Sequence, residues 1–220
     1  HLHAWNSPPT EPLTADDWRH KPYLIEYSDA MMREKVDYMT RLLEDTFQTK
    51  MVSLRAGRWA FDERYARLLV EYGYQVDCSV TPRVNWKTAK GAPQGDGGTD
   101  YRRFPQHAYF LDENDISREG HSPLLEVPMS IQYKHSAWMN SVKQGYDRLR
   151  GKVRSPSVHW LRPMGGNVET MKKVVEQTLT QGNDYVEYML HSSEYMPGGS
   201  PTFQNERDIE RLYADLEAFF

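Results

Sequence analysis

Two histidines one residue apart, His1 and His3 in HLHAWNSPP, open the set of residues whose types and spacing could do chemistry. Residues i and i+2 of an extended segment share a face, so two imidazoles at this spacing can bind one metal ion. Exposed terminal histidines, or a tag remnant, are the plainer explanation. SLRAGRW (Ser53–Trp59) puts Arg55 before Ala-Gly, where a permanent charge could sit beside backbone N–H groups that approach a ligand. A strand-to-helix turn with a surface-paired Arg is the plainer explanation of the stretch. WLRP (Trp160–Pro163) offers an aromatic wall and Arg162, or simply a packed Trp beside a surface Arg. MLHSSEYMPGGSP (Met189–Pro201) leads His191 into a Pro- and Gly-stiffened loop, where an imidazole could move protons near neutral pH. Ser192, Ser193 and Glu194 invite a triad reading, but no G-x-S-x-G elbow is present, and a capped turn is the alternative.

The elements that would position these residues alternate. Met32, Val36, Met39 and Leu43 recur at helical spacing over Asp29–Phe47, with Ser28 or Asp29 as the cap. Met51–Arg55 reads as a buried strand, and Phe61, Tyr65, Leu68, Leu69 and Tyr72 mark a helix stopped by Gly73. Tyr74–Val80 and Leu124–Ile131 read as strands on either side of a long Gly-, Pro- and Lys-rich loop, Thr81–Arg103. Ala137–Leu149 reads as a helix, and Met171, Val174, Val175 and Thr178 line another between Asn167 and Gly182. Asp184–His191 is a late strand and Asn205–Phe219 a closing helix. Such alternation predicts an α/β fold with a mostly parallel sheet, as a (β/α) barrel or, second, an open doubly wound sheet. In both, chemistry gathers at the C-terminal ends of strands, where Arg55 and His191 fall.

Composition sets the bounds. The chain has 220 residues, enough for one domain, or one plus an appendage, with a proper core. One cysteine, Cys78, excludes an internal disulfide framework and a multi-cysteine zinc site. A net charge of −4 advertises no nucleic-acid surface, and no apolar run is long enough to span a bilayer. The 14 Tyr and 6 Trp could stack on sugar rings, but their spread along the whole chain favours core packing for most.

Taken in order, HLHAWNSPP, SLRAGRW, VDCSVTP, LLEVP, WLRP and MLHSSEYMPGGSP resemble the polysaccharide deacetylase family of metal-dependent carbohydrate esterases. The match is narrower to the branch of bacterial surface-polysaccharide and O-antigen biosynthesis. The resemblance implies an irregular (β/α) barrel over 1–220 as a single catalytic domain, with its N-terminal part missing. It implies one divalent ion, most often zinc, held by an Asp and two His, with a second Asp as general base. Both aspartates belong to a motif preceding the histidines, and this chain begins at the histidine motif. The family spaces its histidines four apart, and position 5 here is Trp5, so the ligands carry over to His1 and His3. Arg55 would steady the base, and the backbone N–H near Arg58 would help bind the oxyanion. Trp59, Trp160 and Arg162 would line the substrate pocket, Met189 and Leu190 would hold the acetyl methyl group, and His191 would be the general acid. The implied activity removes N-acetyl or O-acetyl groups from a saccharide of a surface polysaccharide or its precursor. Without the upstream Asp, metal binding and turnover by this chain are expected to be weak.

Other functions remain open at this point. An amidohydrolase-like metal hydrolase also uses an early HxH on a barrel strand, with further ligands at later strand ends. A degenerate deacetylase barrel would bind glycan without cleaving it. A regulatory or structural domain explains the aromatics but not the ordered motifs. The O-antigen resemblance and the lack of a visible export signal lean cytoplasmic, with the periplasm as the alternative.

Overall fold

The structure, a computed structural model, describes residues 1–135, 139 and 157–220. It falls into two compact units, His1–Pro128 and Met129–Phe220. The expected helix over Ala137–Leu149 lies outside the described residues, apart from Met139.

In the first unit, a short helix α1 (Asp17–His20) precedes α2 (Asp29–Phe47). α2 begins where the Ser28 side chain accepts a hydrogen bond from Met31 N, and it ends at Gln48 in the left-handed region. Its buried face carries Met32, Lys35, Val36 and Thr40, the i, i+3/i+4 stripe of a helix packed on a core. α3 (Glu63–Glu71) is capped by Asp62, which accepts from Tyr65 N at 2.9 Å, and it buries Tyr65, Ala66, Leu68 and Leu69.

The sheet of this unit is mixed. β1 (Ser53–Leu54), β2 (Val76–Asp77) and β5 (Leu125–Glu126) run parallel. β3 (Tyr109–Asp112) joins β5 antiparallel and pairs with β4 (Asp115–Glu119), giving the order β1-β2-β5-β3-β4. Leu2 forms a further parallel bridge to Ala56, which lays the HLH segment alongside the end of β1. The parallel portion has the expected sequence order. The hairpin β3–β4 was not expected, because Asp112–Asp115 is a polar turn between strands whose alternation is short. Among the described residues no closed barrel is formed.

The Leu124–Ile131 stretch, expected as one strand, is split between the units. Leu125–Glu126 closes the parallel portion, and Ile131 begins β6 (Ile131–Tyr133), which pairs antiparallel with β7 (Val158–Trp160). Val127-Pro128 separates them, and a proline has no N–H to extend a ladder. α4 (Val168–Thr180) packs Met171 and Val174 with Leu161. α5 (Glu206–Phe219), capped by Asn205, packs Ile209 and Leu212 on Phe203. Asp184–His191, expected as a strand, forms no regular strand. Its backbone makes isolated contacts instead: Met189 N donates to the Leu161 carbonyl at 3.2 Å, and Ser130 N donates to the Glu187 carbonyl at 3.4 Å. Among the described residues no helix is long and apolar enough to cross a membrane.

Candidate functional site

The first unit builds a polar cluster from the HLH segment, the turn after β1 and the ends of β2 and β5. Leu2 and Ala4 point into the core, at 4% and 2% exposure, which turns His1 and His3 to the opposite face. Their ring centroids lie 4.5 Å apart. The shared face expected from the i, i+2 spacing is therefore present.

Gly57 makes this docking possible. Its N–H donates to the Leu2 carbonyl at 2.8 Å. A Cβ at position 57 would fall 2.3 Å from that oxygen and 2.7 Å from His3 Nδ1. The next two residues, Arg58 and Trp59, both have positive φ (54° and 60°). Each non-glycine residue there costs about 1 kcal/mol or more, so the surrounding contacts hold the turn against strain. Trp59 N–H is taken by the Ala56 carbonyl at 3.1 Å and Ala60 N–H by the Gly57 carbonyl at 3.3 Å. Among the described residues no backbone carbonyl accepts from the Arg58 N–H between them. Two cations lie over aromatic rings here, Arg55 over Trp59 and Arg58 over Trp5, each at 5.3 Å. Arg55 Nε also donates to the Cys78 carbonyl at 3.3 Å.

Beneath this turn lies an acid pair that the reading of single motifs did not assign. Asp77 and Glu126 are opposed across β2 and β5, and both are fully buried. Two carboxyls facing each other out of water disfavour ionising both, so each holds its proton more readily than a free carboxyl does. Burial, joined by the Asp77 charge, pushes Glu126 well above the usual carboxylate range. Burial pushes Asp77 up to about 6, against the lowering pull of its hydrogen bonds and of Arg55. Glu126 Oε1 accepts from Val80 N at 2.9 Å. Asp77 accepts from Ser79 N at 2.9 Å and from Ser79 Oγ at 2.8 Å, and the same Oγ accepts from Ala56 N at 2.8 Å. The acid pair thereby anchors the backbone on which Arg55 and Gly57 stand. One acid inside each of two apolar strands, VDCSV and LLEVP, was the available signal.

Zinc hydrolases hold their ion with three protein ligands and leave a fourth position to water. Two imidazoles on one face would supply two such ligands. Among the described residues no group of three or more His, Cys, Asp or Glu side chains is placed to complete the set.

The second unit collects the remaining predicted residues. His191 is the N-cap of a single turn, Ser192–Tyr195, and Glu194 reaches back to accept from His191 N at 2.8 Å. The other Glu194 oxygen accepts from Arg162 at 2.6 Å, and His191 Nδ1 lies 3.6 Å from Glu194 Oε2. The Glu194 side chain is 3% exposed, whereas that of His191 is 42% exposed. A buried carboxylate thus ties Arg162 to the backbone of His191 and leaves the imidazole open to solvent. Trp160 is half-buried on β7. Met189 is buried, and Leu190 packs with Phe203, Ile209 and Leu212.

Compared with protein-family models, curated proteins and solved structures, the chain finds no match.

Proposed function

We propose that the protein is a metal-dependent hydrolase of the polysaccharide deacetylase type. It would remove N-acetyl or O-acetyl groups from a saccharide of a bacterial surface polysaccharide or its precursor. On this reading the chain is a single deacetylase-like domain with an irregular (β/α) barrel. The observation that carries the reading is the docking of HLH on the RAGRW turn, with both imidazoles on one face beside a strained, glycine-dependent loop.

His1 and His3 would hold the divalent ion, whose chemistry is to supply a water acidic enough to ionise at a pH near ~7. The Arg58 N–H is the donor available to a developing oxyanion, and such a donor is worth roughly 3 kcal/mol. Arg55 keeps a fixed positive charge at the end of β1, held by the Cys78 carbonyl and the Trp59 ring. His191 is assigned the proton that an amine needs to leave, with Glu194 fixing its backbone. Trp59, Trp160 and Arg162 would contact the sugar, and Met189 and Leu190 the acetyl group.

The test is acetate release from N-acetylated and O-acetylated oligosaccharides across a panel of divalent metals. Metal-dependent release is expected, lost in His1→Ala/His3→Ala and in His191→Ala. No release with any metal, or release that survives the double substitution, would remove the reading.

A further inference from the structure

Lys35 is a buried charge that the proposed chemistry does not use. It stands on the inner face of α2 beside Met32 and Val36 and is 1% exposed. A helix face packed on a core gains more from an aliphatic residue, and a buried ammonium is costly unless its protons find acceptors. The acceptors here belong to a stretch of chain poor in donors. In Ser7-Pro8-Pro9 both prolines lack an N–H, so the local backbone cannot close on its own carbonyls, which must find donors elsewhere. Lys35 Nζ donates to the Ser7 carbonyl at 2.7 Å and to the Pro9 carbonyl at 2.6 Å. The buried Tyr27 ring lies 5.7 Å from the same Nζ, within the range of a cation–π contact.

The residue held in this way leads straight to the histidine pair. Ser7 N–H donates to the His3 carbonyl at 3.1 Å and closes the turn His3–Ser7. On the other side of His3, the Leu2 carbonyl takes the Gly57 N–H at 2.8 Å. The segment is therefore tied to the sheet before His3 and to α2 after it. A tie on one side alone leaves the peptide free to pivot. The second one sets the direction in which His3 presents its ring to that of His1, 4.5 Å away between centroids. The same turn lays the Trp5 ring against His3, also at 4.5 Å. α2 is a firm anchor, 19 residues long and capped by Ser28. Ligands held in place before binding lose less ordering entropy when the ion arrives.

We propose that Lys35 is a positioning residue for the histidine pair: through the Ser7 carbonyl it sets the geometry at which His1 and His3 face a single ligand. The inference rests on the metal reading for the identity of that ligand, but the ordering it describes is measurable without metal. The experiment follows amide hydrogen exchange at Ser7 and Gly57 in the full chain, and zinc affinity by competition with a chelating dye. It compares the parent with Lys35→Met, which keeps the stem and removes the donors, and with Lys35→Arg, which keeps donors and charge. Leu69→Ala, a core truncation in α3 away from the segment, controls for general loss of stability. In Lys35→Met, Ser7 and Gly57 should exchange at least ten-fold faster while Cys78 N–H, bonded to the Leu54 carbonyl in the sheet, keeps its parent rate. Zinc affinity should fall roughly ten-fold or more, the range for residues that orient metal ligands. Lys35→Arg should restore most of both, and Leu69→Ala should leave zinc affinity unchanged. Should Lys35→Met fail to fold, Lys35→Gln, a shorter neutral donor, carries the same comparison. Unchanged exchange at Ser7 and Gly57, or a loss of zinc affinity as large in Leu69→Ala as in Lys35→Met, would overturn the inference. Faster exchange at both amides in a chain that binds no zinc would uphold the role of Lys35 and remove the metal reading. Zinc bound equally tightly by parent and Lys35→Met would keep the metal reading and remove the role of Lys35.

Discussion

Glu126 and Glu194 are both buried glutamates beside residues assigned to chemistry, yet they face unlike partners. Glu126 ends β5 facing another carboxyl, that of Asp77, and burial drives it toward the protonated form. Glu194 faces the Arg162 guanidinium at 2.6 Å and the His191 N–H at 2.8 Å, partners suited to an ionised carboxylate. The partner, rather than burial alone, decides the charge a buried acid carries. The first arrangement is a neutralised brace inside a parallel sheet. The second is a charged hub from which an exposed imidazole projects.

The comparison can be broken most visibly by pH. Folded-state values raised above those of the unfolded chain mean that the native state binds more protons. Stability from the Asp77–Glu126 pair is then fully present below about pH 4 and is lost as pH rises, first through the value of about 6 for Asp77 and then toward that of Glu126. Each retained proton gives a slope of roughly 1 kcal/mol per pH unit. Urea unfolding between pH 5 and 8 should show this decline in the parent, and Glu126→Gln, which keeps a neutral donor, should flatten it. An unchanged slope would mean that the pair does not share a proton.

Breaking the other acid comes next. Glu194→Ala leaves Arg162 without its carboxylate and the His191 turn without its cap. The expected cost is about 3 kcal/mol in urea unfolding, the low end for a broken buried pair because Arg162 keeps 25% of its side chain in water. A cost below ~1 kcal/mol, the range of exposed pairs, would show that the hub is solvated. Arg162→Met should leave the buried Glu194 carboxylate facing no cation, at a cost of about 3 kcal/mol or more in urea unfolding. The smallest effect is expected at Ser79→Ala, which removes the hydroxyl bridging Asp77 and Ala56 N and should cost about 1–2 kcal/mol.

The sequence was most legible where pattern and punctuation agree locally. Ser28 before a 3.6-period stripe marked α2 from Asp29 to Phe47, and Asn205 marked the last helix equally well. The strands were read in roughly the right places but too long, because only two or three residues of each are paired, and pairing depends on partners distant in the chain. Asp184–His191 has the residues of a strand but makes only isolated backbone contacts. In the site, the i, i+2 spacing foretold the shared face of His1 and His3. The need for Gly57 and the meeting of Asp77 with Glu126 depend on register between separate segments, which no single motif records.

The central claim is that HLH on the RAGRW turn is a metal-binding pair. Its most direct test is zinc retained per chain after dialysis, for the parent beside His1→Ala/His3→Ala. The account predicts zinc bound by the parent, approaching about one ion per chain at saturation, and none by the double variant. Zinc absent from both proteins, or retained equally by both, would contradict it.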